Sequence, residues 1–169
     1  DNGWTVNVHG VKSGTGGIAV KQNSTVVLTN DNTFSGGVWV EKGRVQVAGH
    51  TNAPGAGTVN VGTNATLELA YGAATVRPVA LNLYNGQVVK TTGGATTWRG
   101  ALTSLNSSTV SVSALYVYGN LTISGGTLVF SNTSQSGQSG GSMIGAGNLS
   151  KWGAGIFNLR PGTHSGNVS

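Results

Sequence analysis

The chain has no cysteine, one methionine, three prolines and only four acidic residues in 169. Without cysteine there is no disulfide framework and no thiolate metal site. Four carboxylates, Asp1, Asp31, Glu41 and Glu68, leave little material for paired acid–base chemistry or for a Ca²⁺ cage. No apolar stretch approaches the roughly 20 residues that a membrane-spanning helix needs, so membrane insertion by this segment is not expected. Nor does any window combine apolar residues at helical spacing with capping signals, which removes the α-helix. The nine Lys and Arg give a calculated pI of about 9.9 but are scattered from Lys12 to Arg160. With no basic stripe, no nucleic-acid partner is expected.

What remains is Gly, Ser, Thr, Asn and short β-branched runs. Gly alone fills 29 positions and charged residues amount to 8%, a composition shared with disordered chains. Disorder, however, lacks runs such as Val6-Asn7-Val8, Val45-Gln46-Val47, Val59-Asn60-Val61, Leu121-Thr122-Ile123 and Leu128-Val129-Phe130. These alternate as half-buried strands do, and the Gly- and Asn-rich stretches between them suit tight corners. The runs recur about every 20 residues, which is the mark of a solenoid and predicts about 8 coils. The inward positions are expected to be the Val, Leu and Ile of each run. Asn23, Asn64 and Asn106 are expected to stack as an internal amide ladder. Ser134 to Gly147 (SQSGQSGGSMIGAG) reads as a projecting loop or a flexible corner, and Ala73 to Gly100 as a region of longer corners.

A seventeen-residue pattern occurs intact from Thr33 to Gly49 (TFSGGVWVEKGRVQVAG). It recurs split across the two ends, Thr163 to Ser169 (THSGNVS) running on into Asp1 to Gly10 (DNGWTVNVHG). Either the chain is one cut from a tandem array, or separate copies meet end to end and rebuild the pattern at the joint. The expected partner is therefore a copy of the chain itself, head to tail, or a covalent neighbour. The expected end-to-end interface is Asp1, Asn2, Trp4, Val6 and Val8 with Thr163, His164, Gly166, Val168 and Ser169. A beginning at Asp1, without Met or leader, suggests a processed product or an excised piece, with any export signal outside it.

Two series of motifs resemble the autotransporter-associated β-strand repeat of bacterial passenger domains. They are Gly145 to Leu159 (GAGNLSKWGAGIFNL) and Leu28 to Gly37 (LTNDNTFSGG), supported by Glu41 to Val47, Gly55 to Leu69 and Gly125 to Phe130. The resemblance implies a right-handed parallel β-helix displayed outside the cell. His164 stands where the repeat has an aromatic residue, and Tyr71 to Leu105 follows the pattern poorly. On this reading residues 1–169 form a single β-helical domain of an extracellular or bacterial cell-surface fibre. An adhesin that binds glycans or a host surface through its loops is the alternative.

Catalytic readings are weak. Asp31 lies in an Asn-Asp-Asn corner and Glu68 between two inward leucines, so neither suggests an acid–base pair. No catalytic, cofactor-binding or metal-binding residue is assigned. His9 and His164 approach each other only across the split pattern, and nothing supplies a third ligand with His50. The glycine clusters lack the Gly-Lys-Ser/Thr ending of a phosphate loop. The four Trp and four Tyr are expected to pack across coils, with a stacking surface for glycans as the other option. Seven Asn-X-Ser/Thr sequons, at Asn23, Asn64, Asn106, Asn120, Asn132, Asn148 and Asn167, would be outward attachment points if the source glycosylates, and chance in an Asn/Ser/Thr-rich chain explains them at least as well.

Overall fold

The computed structural model describes residues 3–70, 75–76, 79–90, 94–138 and 140–169. Among these there is no helix. Every strand pairing is parallel, and each strand pairs with its counterpart one turn along the chain. This is the expected right-handed β-solenoid. The first sheet runs through eight strands from Thr5–Val8 to Asn148–Trp152, and the second through eight from Ile18–Val20 to Thr163–His164. Eight levels are joined by seven turns, and seven steps of about 4.8 Å make a rod about 34 Å long. The sequence spacing is right: register partners Val6, Val26, Val45, Leu67, Val88, Val110, Phe130 and Lys151 lie 19 to 22 residues apart.

The third side changes along the rod. In the first three turns it is irregular backbone, stacked by bonds from Thr33 N to Lys12 O, Ser35 N to Gly14 O and Ala56 N to Phe34 O (2.8, 2.9 and 2.8 Å). From Thr75–Val76 onward it becomes a five-stranded sheet that ends at Phe157–Asn158. Ser136–Gln138 and Met143–Gly145 belong to the third and second sheets. The expected loop at Ser134 to Gly147 is thus mostly solenoid wall. Polar, glycine-rich composition hid it, because Ser136 and Gln138 point inward and are buried. The expected longer corners at Ala73 to Gly100 contain strands Leu81–Leu83, Gln87–Val89 and Ala95–Trp98, while 73–74, 77–78 and 91–93 lie outside the described residues.

Inward residues form aliphatic columns. In the second sheet Ile18, Val38, Val59, Leu81, Leu102, Leu121 and Met143 stack in register, and all but Ile18 are buried. Trp98 fills the widened interior, and its indole N–H donates to Val79 O at 2.9 Å. The corner from the second to the first sheet needs a left-handed residue on most levels. Gln22, Gly43, Asn64, Asn85 and Gly126 supply it, with φ of 61, 92, 59, 63 and 64°. Corner duty turns Asn23, Asn64 and Asn106 outward, so the expected internal ladder is absent at those positions. A buried amide does occur elsewhere. Asn32 accepts from Lys12 N at 2.9 Å and donates to Ala53 O at 2.8 Å.

One inward column is interrupted. Continuing the register beyond Val89 sets Lys90 between Leu69 and Val112, with its ammonium donating to Thr96 Oγ1 at 2.7 Å. Burial lowers the Lys90 pKa below the ordinary 10.5. Because the folded value is the lower one, protonation opposes folding, and the penalty fades as pH rises from the folded pKa to 10.5. Urea denaturation of Lys90→Met should show a gain over the parent near neutral pH that shrinks toward pH 10.5. By contrast, Leu67→Ala, in the middle of the rod, should lose about 2–5 kcal/mol in the same measurement.

Candidate functional site

A solenoid pairs every rung with two neighbours except at its first and last coils. The described large apolar residues show where this matters. Nine are exposed, and seven of them lie in the terminal coils: Trp4, Val6 and Val11 at one end, Trp152, Ile156, Leu159 and Val168 at the other. The ends therefore carry the unspent apolar surface.

At the N-terminal end the columns stop without a lid. Val6 is 51% exposed, whereas its register partner Val26 is 9% and the next, Val45, is 0%. Val6, Val8, Ile18, Val26 and Phe34 line an open apolar hollow of about 410 Å³. Thr5–Val8 and Ile18–Val20 are edge strands, so their outer backbone groups face solvent. Trp4 O accepts from Thr25 N at 2.7 Å while its side chain is 81% exposed. Asp1 and Asn2 lie outside the described residues.

The C-terminal end is chemically different. Lys151 takes the inward position above Phe130, and its ammonium donates to the carbonyls of Trp152 and Gly153 at 2.6 and 2.7 Å. His164 takes the column position above Gly145, with both ring nitrogens shielded and without a hydrogen-bond partner among the described residues. The tail then winds on and lays one further short parallel rung against the edge of the first sheet. Leu149 N donates to Asn167 O, Ser169 N to Leu149 O and Lys151 N to Ser169 O (2.8, 3.0 and 2.6 Å). Gly166 makes this closure possible, because a Cβ there would fall 1.9 Å from Gly147 O. The first sheet is thus partly covered by its own chain, while Phe157–Asn158 and Thr163–His164 remain edge strands of the other two.

The two halves of the expected interface lie at opposite ends of the rod, and the split pattern is only half in phase. Its front half agrees with the intact copy: Thr5–Val8 and the aligned Arg44 to Val47 both lie in the first sheet. Its back half does not. Val168 aligns with Val38 of the second sheet yet pairs with Leu149 of the first, and Thr163–His164 is a second-sheet strand where Thr33 and Phe34 precede one. The tail completes its coil after 19 residues from Leu149 to Val168, within the range of the other coils. A continuation at this end would extend the rung that Val168 begins on the first sheet.

Other expected sites separate. His9 and His164 are on opposite terminal coils, and the described residues hold no cluster of three metal-ligating side chains. Glu68 is buried and accepts from Arg44 Nη1 at 2.7 Å; Glu41 lies 3.5 Å from Lys21 Nζ. Asp31 accepts from Asn52 Nδ2 at 2.5 Å, with His50 Nδ1 at 3.7 Å. These carboxylates sit on different corners and sheets. Six of the seven sequon asparagines are exposed. Asn132 is the exception: it is buried, with its amide donating to the carbonyls of Ser134 and Ile156. Of the Trp and Tyr residues, cross-coil packing holds for Trp98 and for Trp39 against Tyr84, but Trp4 and Trp152 are exposed; Phe130 on Phe157 (ring centroids 4.2 Å apart) adds a further cross-coil pair.

Comparison of the chain with protein-family models, with curated proteins and with solved structures gives no match. Geometry carries the functional argument alone. If the tail closes the last coil as described, Gly166→Val should speed amide hydrogen exchange at Leu149 and Lys151 while leaving Leu128 protected.

Proposed function

We propose that this chain is a structural β-solenoid module of a cell-surface fibre, joined to copies of itself head to tail through its terminal coils. The observation that carries this reading is the concentration of exposed large apolar residues, and of edge strands, in the first and last coils. A second copy stacked in the same direction would continue the parallel hydrogen-bond ladder and bury Val6, Val8 and Ile18 beneath an aliphatic column. The unlike ends favour one polarity. The bare N-terminal hollow is apolar, and it would receive the side bearing Trp152, Ile156 and Val168. The likeness to the autotransporter-associated repeat, carried by Gly145 to Leu159 and Leu28 to Gly37, supports placing the fibre on a bacterial surface.

The test is assembly in solution. Sedimentation velocity and negative-stain microscopy over a range of concentrations should show rods that lengthen with concentration. Val6→Lys should reduce this lengthening, because it sets an unpaired charge in the buried joint. Outward Gln46→Lys, in the middle of the rod, should not. Rods of one fixed length at every concentration, equal in parent and Val6→Lys, would refute end-to-end assembly.

A further inference from the structure

Of the nine exposed large apolar residues, only Trp39 and Tyr118 lie away from the ends. Trp39 is the outward residue in the middle of Val38–Val40, on a face of the second sheet whose neighbouring outward positions are Ala19, Asn60 and Asn82. Its ring is 38% exposed and tilted against Tyr84, which comes from two coils further on, with centroids 5.5 Å apart. Tyr84 braces the indole and fixes its orientation. Asn82 Nδ2 donates to Asn60 Oδ1 at 3.0 Å, so the two amides are aligned beside the ring. Among the described residues no other hydrogen bond occupies Asn60 Nδ2 or Asn82 Oδ1.

On its other side Trp39 borders a trough of about 250 Å³ formed with Gly17, Ala19, Gly36, Gly37 and Asn60. The floor lies low because it has almost no side chains. Those glycines are required by coil stacking: a Cβ on Gly36 would come within 2.6 Å of the Gly16 and Gly17 backbone, and Gly37 has a φ of 79°. None of the residues lining the trough is charged. The site is thus a neutral hollow with one aromatic wall, a bare peptide floor and the Asn60 amide at its rim, held in place by Asn82.

We infer that this trough binds a neutral pyranose saccharide, with a sugar ring stacked on Trp39 and a hydroxyl bonded to Asn60, which Asn82 orients. Each component answers to that chemistry. A pyranose has an apolar C–H face that suits an aromatic plane, and it has hydroxyls that both donate and accept, as a paired amide does. A charged sugar would find no counter-ion among the lining residues. An apolar peptide would leave the amides buried without partners. The site is on the rod wall, not on the loops from which glycan binding would be expected, and it does not depend on how the ends behave. Repetition of the unit in a fibre would repeat the site along its length and raise avidity for a polysaccharide.

The experiment is titration calorimetry and affinity electrophoresis with a panel of neutral hexose oligosaccharides and soluble neutral glucans and mannans. It uses the parent chain, Trp39→Ala, Trp39→Phe, Asn60→Ala and Tyr118→Ala. Binding to at least one panel member should weaken about tenfold in Trp39→Ala, the loss of one stacking contact, and less in Trp39→Phe. Asn60→Ala should weaken it too, and Tyr118→Ala should leave it unchanged. Circular dichroism and thermal melting of each variant separate loss of binding from loss of fold. Absence of binding by the parent to every panel member would overturn the inference. So would equal affinity in folded Trp39→Ala, or tighter binding of a polyanionic glycan than of any neutral one. Failure here leaves end-to-end assembly untouched, since that is read by sedimentation.

Discussion

Parallel backbone hydrogen bonding from one coil to the next is the constraint from which everything else in this molecule follows. A rung is satisfied only by a rung above and a rung below, at a separation of about 4.8 Å. That separation favours like residues at inward positions, which is why Val38, Val59 and Leu81 fall in one column, while the outward column of Ala19, Trp39, Asn60 and Asn82 varies. It explains the glycines as well. At Gly36 and Gly166 the neighbouring coil lies too close for a side chain. And it has no natural end, so the first and last coils hold most of the exposed large apolar residues, Val6, Trp152 and Ile156 among them, beside solvent-facing strand edges.

The two ends answer that constraint differently. At the N-terminal end aliphatic columns simply stop. At the C-terminal end the interior turns polar, through Asn132, Gln138, Lys151 and His164, and the tail lays a short rung against Leu149 and Lys151. Lys151 combines two roles. Its stem covers Phe130 at a core position, while its ammonium takes the carbonyls of Trp152 and Gly153 that a following coil would otherwise meet. A rod so built has two chemically unlike ends, one apolar and bare, the other partly polar.

Much of this was legible in the residues. Val-x-Val and Leu-x-Leu runs at a spacing near 20 residues gave the coil count, because alternation and period are set by backbone geometry and survive any change of neighbours. Left-handed corners were legible in kind, since Asn64, Asn85 and Gly43 belong to the few residue types that tolerate them. The wall strand Ser136–Gln138 was not legible. Ser-Gly-Gln carries no apolar signal, and only register with Ala114–Val117 makes it a strand. The direction of the corner asparagines was lost for a similar reason: composition says that a turn occurs, not which way the side chain points. The phase of the tail escaped because the seventeen-residue pattern is shared by segments on different sides of the coil. The Trp39 trough escaped too, because it joins residues from three levels whose separation in sequence hides their contact.

The most direct test of polar end-to-end stacking uses the absence of native cysteine. Thr5 begins an outward column of the first sheet, Thr25, Arg44, Thr66, Gln87, Thr109, Val129 and Ser150, and Ser169 extends it at the far end. In a head-to-tail stack Thr5 of one copy sits one rung from Ser169 of the next, within the Cα separation of about 4.4–6.8 Å that a disulfide spans. Oxidising a Thr5→Cys/Ser169→Cys double variant should yield a ladder of disulfide-linked oligomers on non-reducing gels, with each single variant remaining monomeric. Dimers from the single variants, or only monomers from the double one, would contradict polar stacking through these ends.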